Sequence, residues 1–326
     1  MDLHSATMSR LAGALPLHPR LDALVRRAAS AAPARTVVVM PTDELSIEAA
    51  VEATIAGLIE PILVGPRDAI AAAAARAGLD IGGYRIVEAD DARQAAAMAV
   101  AMARDGGAAM LMKGALHTDD LMHAVVSAAG GLRTSRRISH SFIMDVPHFP
   151  RLVIVTDAAV NIAPTLMEKR DIIQNAIDLA HVLGIKLPRV AVLAATETVN
   201  PDMLTTVEAA ALSKMADRGQ ITGGLVDGPL ALDNAVDLEA ARVKGIVSPV
   251  AGLADILLVP GLEAGNMVAK DLTFMAGAGA AGVVTGARVP IVLTSRADSP
   301  EARKSSCAVA ALMAQAAAGA AFRDAA

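Results

Sequence analysis

The sequence predicts an α/β protein: two α/β domains with mostly parallel sheets around a cleft. Three observations carry this. Short β-branched or aliphatic runs alternate with Ala-rich helical patterns along the whole 326-residue chain, the rhythm of strands connected by helices. Several runs, among them LVIV at 152–155 and ILLV at 256–259, are apolar throughout, as strands covered on both faces are. Hydrophobic residues make up 54% of the chain but aromatics only 2%, so a large core must be built from Ala, Val, Leu, Ile and Met.

Taken in order, strands are expected at 36–40, 61–64, 84–88, 109–112, 139–144, 151–156, 189–194, 224–226, 256–259, 282–284 and 291–293. Each is a short aliphatic run bounded by turn-forming or polar residues. Helices are expected at 44–56, 67–77, 92–103, 118–129, 168–183, 201–218, 238–244, 266–275 and 300–318, where apolar positions recur at helical spacing. Gly319 is expected to stop the last helix. The stretch DVPHFPR near 144–151 breaks the alternation with two prolines and marks a domain boundary. The first domain is expected to comprise 1–146 together with 299–326, and the second, which would also dimerise, 147–298.

Bulk properties narrow the function classes. Net charge is −5, from 29 basic and 34 acidic residues, with no basic block that would mark a nucleic-acid partner. The lone cysteine, Cys307, excludes an internal disulfide and a cysteine-based zinc site, and a cytoplasmic setting is the simplest fit. Mean hydropathy is +0.47, yet the nearest candidate span, 272–292, is split by four glycines and Arg288, so no membrane segment is expected. The N-terminal apolar run is broken by Pro16 and Pro19 and does not read as a signal peptide.

The most informative stretch is PIVLTSRADSPEA at 290–302. A strand ends in Thr294, Ser295 and Arg296. Asp298 or Ser299 can cap the helix that follows, and Pro300 suits its first turn. A hydroxyl and a guanidinium thus sit at a helix N-terminus, where backbone N–H groups and the helix dipole favour anions. Lys113, His117 and Thr118 occupy the same kind of strand-to-helix turn in KGALHTDD. Thr118 is a candidate N-cap there, but the two-glycine spacing of a P-loop is absent. Arg133, Arg136 and Arg137 crowd the turn before the strand at 139–144, which suggests a multiply charged anion or else a solvated basic turn. Asp157 and Asn161 close the strand at 151–156. Glu263, Gly265 and Asn266 precede a predicted helix and offer backbone N–H groups and an amide. These polar strand ends are expected along one edge of the sheets. There is no G-x-S-x-G elbow, no HExxH, no EF-hand loop, no G-x-G-x-x-G after the first strand and no carboxylate cluster that suggests a metal.

Long collinear motifs then give a resemblance. KGALHTDDLMHAVV (113–126), LRTSRRISHSFIMDVP (132–147), VTDAAVNIAPTL (155–166), AIDLAHVLGI (176–185), ETVNPDM (197–203), ADRGQITGGLVDGPLALDNA (216–235), SPVAGLADILLVPGLEAGNM (248–267) and VPIVLTSRADS (289–299) resemble the phosphate acetyltransferase and phosphate butyryltransferase family. The RTSRRISH and TSRADS versions look most like its butyryltransferase-type branch. The resemblance implies acyl-CoA + phosphate ⇌ acyl phosphate + CoA, with acetyl favoured over butyryl, no metal or redox cofactor, coenzyme A as a substrate, a homodimer, and a fold like that of isocitrate and isopropylmalate dehydrogenases. Ser295 and Arg296 match the family's Ser-Arg pair, which implies phosphate or oxyanion binding. The acetyltransferase branch has an aspartate six residues after that pair, proposed as the thiol base. Here that position is Ala302, which leaves Asp298 or Glu301 as candidates. An arginine in the helix after the His-Thr pair is replaced near Ala124, and Arg133, Arg136 or Arg137 could supply its charge. Two alternatives compete: a metal- and NAD(P)-dependent dehydrogenase on the related fold, and a non-catalytic acyl-CoA-binding protein.

Overall fold

The computed structural model describes residues 17–293, 295 and 297–324, the last five of these by their backbone alone. Eleven strands form one mixed sheet: β1 (Ala34–Val39), β2 (Ile59–Val64), β3 (Arg85–Val87), β4 (Met110–Lys113), β5 (Ser139–Asp145), β6 (Val153–Thr156), β7 (Arg189–Leu193), β8 (Leu225–Leu230), β9 (Ile256–Leu258), β10 (Gly279–Thr285) and β11 (Ile291–Val292). The helices are α1 (Pro19–Ala29), α2 (Glu44–Ile55), α3 (Arg67–Ala77), α4 (Ala92–Arg104), α5 (Thr118–Val126), α6 (Leu166–Leu183), α7 (Leu204–Asp217), α8 (Leu232–Val236), α9 (Leu238–Val243), α10 (Leu262–Phe274) and α11 (Pro300–Asp324). Each expected strand has a counterpart. Two helices, α1 and α8, were not expected.

The strand order is β3-β2-β1-β4-β11-β10-β5-β6-β9-β7-β8. Strands β3, β2, β1, β4 and β11 run parallel to one another. So do β6, β9, β7 and β8. Between the two blocks β10 and β5 pair antiparallel with each other and with their outer neighbours. The second block therefore runs opposite to the first. This reversal decides where polar strand ends fall: the C-terminal ends of β1, β4 and β11 lie on one edge of the sheet, and those of β6, β9, β7 and β8 on the other.

Successive side chains in a strand face opposite sides, and the cores follow that alternation. Val38, Met112, Ile154 and Ile256 join one continuous core under α1, α2, α3, α6, α7 and α11. Val37, Val39, Leu111 and Ile291 face the other way, under α4 and α5. Val155, Ala191 and Leu257 lie on that same face, in a separate core under α8, α9 and α10. Small residues let α11 enter the sheet closely: Cys307, Ala308, Val309, Ala310 and Ala311 are all fully buried. The strand β11, which lies within 147–298, adds to the parallel block built by 34–113.

Local chemistry explains the helix starts. Asp43 and Asp91 cap α2 and α4, each accepting a backbone N–H at 2.8 Å, and Thr165 with Glu168 forms a capping box on α6. Such caps contribute about 1 kcal/mol each. Helix α1 starts at Pro19, and buried Asp145 accepts the N–H groups of Arg20 and Leu21 as well as the Arg20 guanidinium. Its cap comes from across the sheet, so no local pattern announced it. Helix α11 runs through Gly319 rather than ending there, because a single glycine costs a helix only about 1 kcal/mol.

Candidate active site

On the edge formed by the C-terminal ends of β1, β4 and β11, three helices begin: α2, α5 and α11. Register places Lys113 opposite Val39, and Val292 opposite Met112, so the three strands deliver their chains side by side. Gly114 makes this possible. A side chain there would meet the carbonyl oxygens of Val39 and Met40 at 2.5 Å, and its own N–H donates to Val39 O at 2.8 Å. The cleft above holds about 260 Å³ and is lined by Asp43, Ser46, Lys113, His117, Thr118, Ser295 and Arg303, with Leu45 and residues 114–116.

Lys113 donates to the carbonyls of Gly114 at 3.1 Å and Leu116 at 3.2 Å, which holds its ammonium at the cleft floor. His117 occupies the N-cap position of α5, and Thr118 is the first helical residue rather than the cap. The His117 side chain makes no capping bond, so the first-turn N–H groups have no side-chain acceptor there and are free for an anion. At β11 the chain folds back on itself. Asp298 accepts the Ser295 N–H at 2.8 Å, and the Ser295 hydroxyl accepts the Ala297 N–H at 3.2 Å. Ser299, not Asp298, caps α11, accepting the Ala302 N–H at 3.2 Å. Arg296 and Thr294 lie outside the described residues.

Two carboxylates were candidates for the base, and the structure separates them. Asp298 is half-buried, and burial raises its pKa above the ordinary carboxylate range despite the Ser295 N–H and the nearby charges of Arg303 and Lys113. Neither carboxylate is among the residues lining the cleft, but Glu301 is exposed and is held below its ordinary range by its own backbone N–H and the Ser299 hydroxyl. A raised pKa favours a base working near neutrality, and a lowered one does not. Burial pushes the Cys307 thiol up to about 12, so it stays protonated and is no nucleophile.

The remaining predicted residues are not brought to this cleft. Arg133, Arg136, Arg137, Asp157, Asn161, Glu263, Gly265 and Asn266 lie toward the opposite edge, where β5 begins and β6 and β9 end. The expectation of one shared edge is corrected here, because the sheet reverses direction through β10 and β5. Much of this second group is satisfied internally. Asp157 accepts the N–H groups of Ala159 at 3.0 Å and of Val160 and Asn161 at 3.1 Å. Asn161 accepts the Arg137 Nε–H at 2.6 Å and donates to Ile138 O at 2.9 Å. Arg137 also pairs with Glu168 at 3.1 Å, and Arg136 pairs with Asp178. Arg133 is exposed and its backbone bridges to Ala287. Burial raises the Asp157 pKa, opposed by its hydrogen bonds. Gly265 is not in a loop before a helix but inside the first turn of α10, where its N–H donates to Gly261 O at 3.1 Å. A Cβ there would sit 2.9 Å from the Ala158 backbone, so this glycine serves close packing.

Asp43, Ser46 and Arg303 line the cleft without having been singled out. Asp43 ends the first strand's turn in PTDELS, the same strand-to-helix context that marked Lys113 and Ser295. Arg303 lies one turn into α11, and nothing local distinguishes it from a surface arginine.

Comparison with known proteins shows the family. The family model described as "Phosphate acetyl/butaryl transferase" matches residues 90–311. A phosphate acetyltransferase of Rhizobium meliloti is 59% identical over 300 residues, covering 92% of this chain and 95% of the relative. A phosphate butyryltransferase of Clostridium acetobutylicum is 43% identical over 280 residues, 86% and 93% of the two chains. Among solved structures, a branched-chain phosphotransacylase from Enterococcus faecalis superposes with a TM-score of 0.76 at 29% identity, over 86% of this chain and 99% of that one. The fold is thus a mixed α/β fold with a large sheet, of the kind seen in phosphotransacylases. The chain belongs to the phosphate acetyl/butyryl transferase family and is an acyltransferase.

Proposed function

We propose that this enzyme transfers an acetyl group between coenzyme A and inorganic phosphate, acetyl-CoA + phosphate ⇌ acetyl phosphate + CoA, with butyryl as the second acyl group to consider. The observation that carries the chemistry is the convergence of three helix N-termini on one cleft that also holds Lys113, Arg303 and the Ser295 loop. That arrangement suits a phosphate dianion and the oxyanion of a tetrahedral intermediate. The 59% identity with a phosphate acetyltransferase favours acetyl. A dehydrogenase is not favoured, since the relatives compared above are acyltransferases over nearly their whole lengths.

In the direction that makes the thioester, the CoA thiol loses its proton to Asp298, and the thiolate attacks the acyl carbonyl. The tetrahedral oxyanion collapses with cleavage of the C–O bond, and phosphate leaves. The reverse direction uses phosphate oxygen as nucleophile and returns the proton to the departing thiolate. Asp298 is the base because it is in reach of the Ser295 loop and its burial raises its proton affinity. Ser295 orients the acyl or phosphoryl oxygen. Arg296, by the family resemblance, holds the phosphate through charge-assisted hydrogen bonds. Lys113 and the α5 N-terminus with His117 and Thr118 complete the anion site. Glu301 is assigned no step. The Arg133–Arg137 turn, Asp157, Asn161, Glu263, Gly265 and Asn266 are proposed to support the second strand block rather than to contact substrate.

No metal or redox cofactor enters this scheme, and coenzyme A is a substrate. Among the described residues no helix is long and apolar enough to cross a membrane. We propose a cytoplasmic homodimer, with 1–146 and 299–326 forming one domain and 147–298 the other, in an arrangement like that of isocitrate and isopropylmalate dehydrogenases. The test is thiol release from acetyl-CoA and from butyryl-CoA, with and without phosphate. Phosphate-dependent release that is faster with acetyl-CoA supports the reading. Release independent of phosphate, or none with either thioester, sinks it.

A further inference from the structure

Arg303 is the fourth residue of α11, and its residue surface is only 5% exposed. Helical side chains lean back toward the helix N-terminus, and this one lines the cleft where α11 begins. One nitrogen, Nη1, donates to Asp298 O at 2.8 Å. Its Nε–H is buried without any acceptor, and no carboxylate among the described residues forms an ion pair with it. The buried arginines' usual solution, a carboxylate fork, is thus missing. A guanidinium cannot shed its proton to escape burial, so an unpaired one persists at a cost unless something else supplies the negative charge. The Asp298 and Glu301 carboxylates act on the Arg303 charge without a hydrogen bond to it; Asp298 offers Arg303 its backbone carbonyl while its carboxylate accepts the Ser295 N–H.

We propose that Arg303 is a phosphate-binding residue of this cleft, whose Nε–H takes an oxygen of the phosphoryl group that enters or leaves during acyl transfer. The proposal rests on the functional reading above and deepens it by naming a residue outside the Ser295-Arg296 pair. The ligand chemistry is a tetrahedral oxyanion with two negative charges, placed between Arg303, the α11 N-terminus and Lys113. Because Arg303 also holds the Asp298 carbonyl, an anion on its Nε links phosphate binding to the loop that carries Ser295 and the base. Inorganic phosphate or acyl phosphate is one source of such a group, and the phosphates of coenzyme A are the other. The position beside Ser295, where the acyl group is transferred, favours the first.

The test compares wild type, Arg303→Met and Arg303→Lys in steady-state kinetics with acetyl-CoA and inorganic phosphate as varied substrates. Heat-induced unfolding is followed with and without phosphate. The proposal predicts that Arg303→Met raises KM for phosphate by roughly tenfold or more, the effect of one charge-assisted hydrogen bond. KM for acetyl-CoA should stay within twofold, and Arg303→Lys should recover part of the loss. The upward shift in melting temperature that phosphate gives wild type should shrink in Arg303→Met. An unchanged KM for phosphate in a folded variant overturns the proposal. So does a rise confined to KM for acetyl-CoA that disappears with dephospho-CoA thioester, which would assign Arg303 to the coenzyme. If Arg303→Met does not fold, Arg303→Lys decides by the same two constants. Wild type without phosphate-dependent turnover refutes the functional reading instead. Phosphate binding measured by calorimetry on wild type and Arg303→Lys then still decides whether Arg303 holds an anion.

Discussion

The two edges of the sheet carry similar residue types and use them differently. On the edge of β6 and β9, Asp157 takes three backbone N–H groups, Asn161 bridges Arg137 to Ile138, and Glu168 and Asp178 neutralise two arginines. The donors and acceptors of these residues satisfy one another, although the buried His140 Nδ1 and Ser141 Oγ nearby have no partner. On the edge of β1, β4 and β11 the described residues leave particular donors open. The His117 side chain leaves the α5 N-terminus uncapped, the Arg303 Nε–H has no acceptor, and burial raises the Asp298 pKa. A strand end rich in charge is therefore not yet a site. It becomes one when its hydrogen-bonding capacity is left incomplete in a concave place, since a ligand is then what completes it.

That contrast can be broken or sharpened by mutation. The largest effect is expected from Arg296→Ala, which should lower kcat/KM for phosphate-dependent turnover by roughly 100-fold or more, about 3 kcal/mol of transition-state stabilisation. Asp298→Asn should follow closely, with kcat down roughly 100-fold near neutral pH. Its pH profile adds a sharper test. Asp298 must be ionised to take the thiol proton, so wild-type activity should fall as pH drops through a pKa above the ordinary carboxylate range. The variant should lose that limb. A folded-state pKa raised in this way favours the fold at low pH and weakens it as pH rises through that value, so Asp298→Asn should melt no lower than wild type at pH 7. A variant with wild-type kcat would remove Asp298 as the base.

The other edge should respond in stability, not in turnover. Asp157→Ala leaves three backbone N–H groups without their acceptor and should cost about 1–3 kcal/mol in denaturant unfolding, with kinetic constants within twofold. Buried His140 provides a smaller, pH-dependent signal. Burial lowers its pKa from 6.5 to about 4, so the unfolded chain binds the proton first. Its contribution is intact above about pH 6.5 and is lost as pH falls toward 4. Unfolding free energies at pH 7 and pH 4.5 should differ less in His140→Asn than in wild type, and equal differences would refute this account of acid sensitivity. Smallest of all, Glu301→Ala should leave kcat within twofold and change stability by a few tenths of a kcal/mol, because exposed Glu301 interacts with the α11 N-terminus, the Ser299 hydroxyl and the charges of Lys304 and Arg303 where solvent screens them.

Much of the fold was legible in the chain because parallel strands and their covering helices are encoded locally. The run LVIV before Thr156 and the pattern of 67–77 needed no distant partner to be read. Helix α1 was not legible, since its N-terminus is completed by Asp145 from β5. Helix α10 was started too late, at Asn266, because Gly265 reads as a break when it in fact permits close approach to Ala158. The site was half legible. Lys113, His117, Thr118 and Ser295 were singled out from strand-to-helix turns and line one cleft, with Asp298 held beside it through the Ser295 N–H. The Arg133–Arg137 turn, Asp157 and Asn161 were grouped with them because the reversal of the sheet at β10 and β5 is a property of long-range pairing. Arg303 carried no local signal at all, as its significance lies in burial and in an acceptor that is missing.

The most direct test of the account is a matched pair of arginine replacements, Arg296→Ala in the Ser-Arg pair that the family resemblance implies and Arg137→Ala on the second edge. Both would be assayed for phosphate-dependent release of CoA thiol from acetyl-CoA at a temperature where both remain folded. The account predicts that Arg296→Ala loses turnover by roughly 100-fold or more, while Arg137→Ala keeps kcat/KM within about threefold and melts earlier. The reverse pattern, with turnover lost in Arg137→Ala and retained in Arg296→Ala, would place the reaction on the opposite edge of the sheet and contradict it.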